Sequence, residues 1–303
     1  MCGIVALFGF EGADDFIEEI STFQTHRGPD NMGYWSNEHV SFSHQRLSII
    51  DTDKRSNQPF IKKNRLILFN GEIYNYKDIK KDLTNKGISF STESDTEVLL
   101  EAYNAYGEEC LNLIEGMFAF LIYDIEKNTA FVARDHFGIK PLYYYQEGNK
   151  IAIASELKTL TNIPGFNKSI NKESIVNVIN YLWLPGNETI FSSIKKVPPA
   201  SIMKIEDNLS FEIKQYWDIE DRLSSETLNE TTSSLDKTIK ESIKKHLVSD
   251  VPLGSFLSGG LDSSLISVLA KKELGKLNTY TIATEKKDKL IEKMPEDEKY
   301  ALS

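Results

Sequence analysis

The chain has 303 residues, which is long enough for two domains with complete hydrophobic cores. Its formal net charge of -10 disfavours nucleic acid as a partner, because a negatively charged surface repels phosphate groups. Hydrophobic residues make up 40% of the chain, yet no apolar run approaches the roughly 18 to 20 residues that cross a bilayer. The opening residues lack the basic region and cleavage site of a secretory signal, so we expect a cytoplasmic protein without a membrane segment.

The first part of the chain shows strands and helices in separate blocks. Residues 3–8 are all apolar and are followed by glycine, which is typical of a strand buried on both faces. Apolar residues at helical spacing predict a helix over 95–106, with Ser94 and Glu97 forming a capping box at its start. Four apolar segments then predict an antiparallel meander, and the domain as a whole is predicted to be α+β. The four segments are 117–124, 129–134, 141–145 and 150–155.

The amino-acid composition changes after Tyr216, where a polar stretch rich in Ser and Thr begins. We expect a first domain over 2–216, a linker over 217–232 and a second domain over 233–303. A helix is predicted from about Leu235 to Leu247. Strands at 254–257 and 279–284, joined by a helix at 264–274, would form one βαβ unit, which indicates a parallel α/β sheet.

Cys2 is the first candidate for chemistry. Removal of the initiator Met would place the α-amine of Cys2 beside its own thiol. An α-amine titrates near 7.7 to 8.0, so the neutral amine can accept the thiol proton without a separate histidine base. The alternative is that Cys2 is a cysteine near the terminus without a catalytic role. Cys110, on a helical stretch, is expected to be a packed core thiol.

Seven motifs in order make the chain similar to class II glutamine amidotransferases of the asparagine synthetase type. They are MCGIV, HRGPD at 26–30, HQRLSIID at 44–51, NQPF at 57–60, FNGEIYN at 69–75, SDTEVLL at 94–100 and ARDHFGIKPLYY at 133–144. The resemblance implies an amino-terminal-nucleophile hydrolase domain with four αββα layers. It also implies that a truncated α/β PP-loop domain, similar to the adenine nucleotide alpha hydrolases, follows.

The resemblance assigns roles in a glutamine site. Cys2 is the nucleophile, and the Asn70 side-chain amide and Gly71 backbone N–H resemble an oxyanion hole. Asn-Gly is also the strongest hairpin-turn dipeptide, a reading compatible with that role. Arg46 resembles the residue that grips the glutamine carboxylate bidentately. Glu72 and Asp95 resemble the groups around the ammonium, although Asp95 could equally be an acidic residue in the first turn of a helix. The resemblance also implies that the wall of the glutamine pocket includes Leu47, Ser48, Ile49 and Ile50.

Three histidines, His26, His44 and His136, are interpreted as structural, since no metal-ligand spacing occurs and the chemistry needs no imidazole. Arg27, Gly28 and Asp30 are expected to shape a loop over the pocket.

A glycine-containing loop at 258–264 follows a short apolar strand and opens a helix, so its backbone N–H groups would bind phosphate. It is not a Walker A loop, because Gly260 stands where Lys is required. The loop resembles the PP-loop of ATP pyrophosphatases. That resemblance implies ATP as cosubstrate and Mg²⁺ near Asp262. The implied ATP-binding residues are Leu257, Ser258, Gly259, Gly260, Asp262, Ser263, Ser264 and Ile282.

The resemblance implies that ammonia released at Cys2 amidates aspartate through an acyl-adenylate, with AMP and pyrophosphate as by-products. Only about forty residues follow the loop, fewer than a doubly wound sheet needs. We therefore expect a truncated synthetase whose missing half could come from a separate chain, and a homodimer is a further possibility. The alternatives are a freestanding glutaminase that donates ammonia and an inactive regulatory remnant.

Overall fold

The computed structural model describes residues 1–220, 226–283 and 297–302. The chain divides into two compact units, and the division falls after Glu220, within the polar stretch. In these described ranges no helix is long and apolar enough to cross a membrane.

The first unit contains two six-stranded antiparallel sheets. The strand order is β10-β8-β9-β1-β3-β2 in one sheet and β12-β11-β7-β6-β5-β4 in the other. Strand β1, which follows Cys2, therefore lies between two partners inside its sheet. The strands are β1 Gly3–Phe8, β2 Asn31–Ser36, β3 Val40–Arg46, β4 Phe60–Lys62, β5 Arg65–Ile73, β6 Gly116–Asp124, β7 Thr129–Arg134, β8 Tyr143–Glu147, β9 Lys150–Ala154, β10 Ile194–Lys196, β11 Ser201–Ile205 and β12 Phe211–Gln215.

The two sheets pack face to face around the main core. Because strand residues alternate between faces, Ile4 and Phe8 of β1 point between the sheets, where Tyr123 of the opposite sheet meets them. Val5 and Leu7 point the other way, into a second apolar cluster that includes Ile17 and Leu160 from two helices. Every residue of β1 is buried, as its sequence predicted.

Helices cover the outer faces and give four layers. The helices of this unit are α1 Ile17–Thr22, α2 Tyr76–Asn85, α3 Asp95–Tyr106, α4 Leu157–Leu160 and α5 Lys172–Tyr181. On the face of the second sheet, the Tyr103 ring of α3 lies 4.8 Å from the Phe131 ring of β7. The bounds of α3 agree with the sequence-based prediction.

The start of α3 differs from the predicted capping box. The Ser94 hydroxyl accepts the Glu97 N–H at 3.3 Å, as expected. The Glu97 carboxylate does not return to Ser94 but accepts the Thr92 N–H at 2.7 Å and the Lys62 ammonium at 2.8 Å. The second hydrogen bond of the capping box is therefore replaced by a hydrogen bond between α3 and the loop before it.

The predicted meander is wrong as a single sheet. Strands β6 and β7 pair with each other in one sheet, and β8 and β9 pair in the other. The connection between the two pairs folds around the Asp135 carboxylate, which accepts the backbone N–H groups of Phe137, Ile139 and Lys140. Gly138, with φ of 65°, allows the tight turn that carries the chain across.

The second unit contains α6 Leu228–His246, β13 Gly254–Phe256, α7 Leu261–Leu274, β14 Asn278–Tyr280 and α8 Asp297–Ala301. Strands β13 and β14 are parallel, which confirms the βαβ unit. Helix α6 begins seven residues before the predicted start, inside the expected linker, because Thr227 and Glu230 form a complete capping box. Helix α7 begins three residues early, at Leu261. Strand β14 is shorter than predicted, and residue 284 lies outside the described ranges.

Candidate active site

A cleft of about 260 Å³ opens at one end of the two sheets of the first unit. Cys2 precedes β1, Arg46 ends β3, Asn70 to Glu72 belong to β5, and Asp95 begins α3. Residues far apart in sequence therefore meet at one place. The cleft is lined by Met1, Cys2, Arg46, Leu47, Ile49, Ile50, Gln58, Phe69, Asn70, Gly71, Glu72, Asp95, Thr96, Met117 and Lys140. Of the predicted glutamine-site residues, Ser48 alone is not in the lining, and its N–H donates to Asp30 at 2.8 Å.

The Cys2 thiol lies against the backbone of Leu47, whose N–H is 3.4 Å from Sγ. Burial raises the pKa of the Cys2 thiol, so a base must remove its proton before attack. The Cys2 carbonyl accepts the Arg27 Nε–H at 2.9 Å, and Arg27 is in turn 3.1 Å from the Glu156 carboxylate. These contacts fix the backbone that carries the Cys2 thiol. Burial also lowers the pKa of the amino group on Met1, which lines the same cleft.

Asn70 and Gly71 lie inside β5, opposite Ala119 and Phe118 of β6. The dipeptide therefore does not form the hairpin turn that was the alternative interpretation of Asn-Gly, since the strand continues to Ile73. The Asn70 side chain is fully buried, and neither its Oδ1 nor its Nδ2 has a hydrogen-bond partner within the described part of the chain. A buried amide without hydrogen-bond partners costs free energy, so its presence indicates a position where a ligand binds.

Gly71 is required by space at this point of the strand. An ideal Cβ there would lie 2.4 Å from the Met117 carbonyl oxygen, 2.7 Å from the Phe69 ring and 2.8 Å from the Phe118 Cα. Any side chain would push β5 away from β6. Gly71 itself lines the cleft.

Arg46 differs from the predicted bidentate grip. One terminal nitrogen donates to the Asp53 carbonyl at 2.9 Å and to Asn57 Oδ1 at 2.8 Å. The other donates to the carbonyls of Ile50 and Asp51. Both terminal nitrogens are thus already bonded to the loop after β3, and a bidentate pair with a substrate carboxylate would have to displace these bonds. Burial lowers the pKa of the guanidinium, which still places a positive charge at the cleft wall.

Asp95 and Glu72 bring negative charge to the same cleft. Asp95 is 5% exposed, and its Oδ2 accepts the Ile73 N–H at 3.1 Å. Burial and the neighbouring Glu72 carboxylate raise the pKa of Asp95 to about 7. A carboxyl with this pKa gains strongly from a nearby cation, which agrees with an ammonium site.

The predicted phosphate loop of the second unit lies between β13 and α7. Gly259 has φ of 77°, and the Ser258 hydroxyl lies 3.0 Å from the Ser263 hydroxyl and 3.4 Å from the Gly260 N–H. Asp262 is in the first turn of α7. The described residues contain no cluster of three metal-ligating side chains, so a metal at Asp262 would need ligands from a nucleotide. Ile282 follows β14 and is 78% exposed.

Comparison with known families decides the relationship. The profile of the glutamine amidotransferase domain matches residues 1–217, and that of asparagine synthase matches residues 234–301. The chain belongs to the glutamine amidotransferase family.

Curated relatives of this family member include two glutamine-hydrolysing asparagine synthetases. Asparagine synthetase 1 of Bacillus subtilis is 38% identical over 94% of the chain and 46% of its own length. Asparagine synthetase B of Escherichia coli is 34% identical over 90% of the chain and 45% of its own length. The chain spans about half the length of these relatives.

A solved structure shares the fold of this family member. The glutamine phosphoribosylpyrophosphate amidotransferase of B. subtilis, complexed with ADP and GMP, aligns with a TM-score of 0.55 at 17% identity. The alignment covers 96% of this chain and 70% of that one. The fold is that of the amino-terminal-nucleophile class II amidotransferases, as the motifs implied.

The cleft of this family member also contains residues to which the sequence analysis gave no role, namely Gln58, Phe69, Thr96, Met117 and Lys140. All of these except Met117 lie in motifs that marked the resemblance, and those motifs were the available signal: NQPF, FNGEIYN, SDTEVLL and ARDHFGIKPLYY. Lys140 is 5% exposed, and burial lowers the pKa of its ammonium. Thr96 follows Asp95 directly, whereas nothing in the sequence pattern singled out Met117.

The three histidines do not line the cleft of this family member. His26 contacts Glu156 at 2.7 Å, and the His136 ring packs against Tyr216 and Trp217. His44 is fully buried, with Nε2 at 2.9 Å from the Phe69 carbonyl. Burial lowers the pKa of His44 to about 4, so its ring is neutral at pH 7.

Proposed function

We propose that the chain hydrolyses glutamine to glutamate and ammonia, with Cys2 as an amino-terminal nucleophile. The observation that carries this proposal is the arrangement of one cleft, in which a thiol, an unbonded buried amide and charges of both signs lie together. Removal of Met1 is part of the proposal, because it frees the α-amine that serves as base.

The proposed reaction follows from these positions. The α-amine of Cys2 takes the thiol proton, and Sγ attacks the carboxamide carbon of glutamine. The carbonyl oxygen becomes an oxyanion, which the Asn70 Nδ2–H and the Gly71 N–H would stabilise. Collapse of the intermediate breaks the C–N bond, and the amine returns its proton to the departing ammonia. Water then hydrolyses the thioester and releases glutamate, which regenerates the thiol.

Recognition of the substrate requires both signs of charge. We propose that Asp95 and Glu72 bind the α-ammonium and that Arg46 neutralises the α-carboxylate, with Leu47, Ile49 and Ile50 forming the wall beside it. For Arg46, the substrate carboxylate would either replace carbonyl oxygens of the loop after β3 or bind through the field of the guanidinium. The mixed charges favour an amino acid over a simple amide.

The second unit supports a larger proposal. The match to asparagine synthase and the names of the relatives favour ATP-dependent amidation of aspartate by the ammonia released at Cys2. The backbone N–H groups of 258–264 would bind ATP phosphates, Leu257 and Ile282 would flank the adenine, and Asp262 would bind Mg²⁺ together with those phosphates.

The test is a matched pair of cysteine variants in the full chain. Cys2→Ala should abolish glutamate release from glutamine while leaving the thermal unfolding midpoint close to that of the wild type. Cys110→Ala, which removes the other thiol, should retain the activity because Cys110 is a buried residue outside the cleft. Intact mass measurement should show loss of Met1. Hydrolysis by Cys2→Ala, or an active protein that keeps Met1, would overturn the mechanism.

A second assay separates the larger proposal from a glutaminase alone. Exchange of pyrophosphate into ATP that depends on aspartate would support a synthetase. Glutamate release without exchange would support a freestanding ammonia donor, and the absence of both would support a regulatory remnant.

A further inference from the structure

The free edge of β5 beside the cleft has an unusual pattern of hydrogen bonds. Strand β4 pairs with β5 only as far as Phe60 opposite Ile67, and no other strand of the described ranges pairs with the edge beyond that point. In an antiparallel strand, alternate residues direct their N–H groups to the same side. The N–H groups of Phe69, Gly71 and Ile73 therefore all face this edge, whereas the Tyr74 N–H bonds to the Glu115 carbonyl on the β6 side.

Side chains occupy the two outer positions of this series. The Gln58 Oε1 accepts the Phe69 N–H at 2.6 Å, and the Asp95 Oδ2 accepts the Ile73 N–H at 3.1 Å. The Gly71 N–H lies between them, and no side chain within the described part of the chain accepts it. One open donor thus remains on an edge that is held on both sides.

Gln58 is itself held in place. It is 4% exposed, and its Nε2 donates to the Thr96 hydroxyl at 3.3 Å, which connects it to α3. Its neighbour Asn57 accepts from Arg46 at 2.8 Å. Its backbone passes so close to β2 that a Cβ on Gly33 would lie 2.2 Å from the Gln58 carbonyl oxygen. The side-chain amide therefore cannot move without breaking its bonds to α3 and β5.

His44 holds the same residue of β5 from a second direction. Its Nε2 lies 2.9 Å from the Phe69 carbonyl oxygen, which can only accept, so Nε2 carries the proton. Gln58 and His44 together bond both polar groups of the Phe69 backbone. The Phe69 carbonyl belongs to the peptide group directly before the one that contains the Gly71 N–H.

We propose that Gln58 is a positioning residue for the oxyanion hole: its amide fixes the β5 edge so that the Gly71 N–H points at the developing oxyanion. Gln58 is not assigned a contact with the substrate in this role. The inference rests on the proposed glutaminase function, and it extends that function to the support of the hole.

The test replaces Gln58 by Met, which has a similar length but cannot accept the Phe69 N–H. Loss of one oxyanion donor costs about 10²- to 10³-fold in rate, and a displaced donor keeps part of its effect, so kcat for glutamine hydrolysis should fall about 10- to 100-fold. The KM for glutamine should stay within about threefold, because the hole stabilises the transition state more than the ground state. Thr159→Val, which also removes a buried polar group but lies in α4 outside the cleft, should match the wild type.

Two further readouts distinguish positioning from general damage. Affinity for the aldehyde analogue of glutamine, whose adduct with Cys2 places an oxyanion in the hole, should fall in parallel with kcat. The rate of Cys2 alkylation by iodoacetamide, which needs no oxyanion hole, should stay within about twofold of the wild type. A normal kcat in Gln58→Met, a change confined to KM, or an equal loss of alkylation would each overturn the inference.

Hydrogen exchange provides a measurement that does not depend on activity. The Phe69 amide should exchange at least about tenfold faster in Gln58→Met, because its acceptor is gone, while the Leu121 amide on the inner strand β6 should not change. Unchanged Phe69 exchange would also overturn the inference. If the wild-type protein fails to hydrolyse glutamine, the proposed function is wrong; a wild-type protein that is active beside an equally active Gln58→Met variant overturns the positioning role alone.

Discussion

Burial of Asp95 affects both the stability of the protein and its capacity to bind a cation. It lies at the first position of α3, where the sequence left open a structural and a substrate-binding role. Burial, with the Glu72 charge added, raises its pKa to about 7. The folded state therefore holds this proton more tightly than the unfolded chain, so the empty protein loses stability as the pH rises from about 4 towards 7. An ammonium bound beside the carboxylate would offset that loss.

This shift predicts a pH dependence of glutamine binding. The ammonium pairs with ionised Asp95, so the affinity of the Cys2→Ala variant for glutamine should rise about tenfold between pH 6 and pH 8. Isothermal titration calorimetry at the two values would measure it. Asp95→Asn in the same background should bind more weakly by about 1.5 to 3 kcal/mol and lose the pH dependence. An affinity that does not change with pH in Cys2→Ala would contradict the ammonium role.

At the scale of single elements, α3 depends on the carboxylate of Glu97. This group accepts from the backbone N–H groups of Ser91 and Thr92 and from the Lys62 ammonium. Burial opposes its ionisation, but these donors prevail and hold the pKa of Glu97 below its ordinary value. The loop before α3 is thereby fixed to the helix that presents Asp95 to the cleft.

Glu97→Gln should therefore lower the free energy of unfolding by about 1 to 3 kcal/mol at pH 7. Because the folded pKa is depressed, the stability due to ionised Glu97 is present at neutral pH and is lost as the pH falls through that pKa. The difference between variant and wild type should shrink in acid. Urea unfolding at pH 7 and at several pH values below 4.5, the ordinary pKa of a Glu carboxyl, would measure both effects.

Glu93→Gln is the matched control in the same loop. Its carboxylate is 70% exposed and pairs with Lys80 at 2.6 Å, and an exposed pair of this kind contributes about 0 to 1 kcal/mol. Equal losses in the two variants would show that burial does not distinguish them.

At the scale of the whole molecule, every residue that lines the cleft belongs to the first unit. That unit has its own core between two sheets, so we expect a fragment of residues 1–220 to fold alone. Its kcat/KM for glutamine hydrolysis should equal that of the full chain within a factor of about three. Circular dichroism and glutamate release would check both points. A folded fragment that has lost the activity would show that the second unit contributes to the site.

Much of the fold was accessible from the sequence where the signal is local. The apolar run of β1 and the periodicity of α3 gave their bounds closely, because burial and helix geometry depend on neighbouring residues. The predicted start of α6 is too late, because the sequence-based prediction assigns 217–232 to a linker although Thr227 and Glu230 cap a helix there. The meander failed because local alternation identifies strands but not the sheet that each strand joins.

The site was predictable to the extent that family motifs report it. Those motifs assigned Cys2, Asn70 and Asp95 to one site, and the structure brings them into one cleft. The saturation of the Arg46 terminal nitrogens, the unbonded Asn70 amide and the hold of Gln58 on Phe69 were decided by the tertiary structure alone. The physical reason is that hydrogen-bond donors pair with acceptors from distant segments of the chain. A sequence pattern shows which donors exist but not which acceptors they meet.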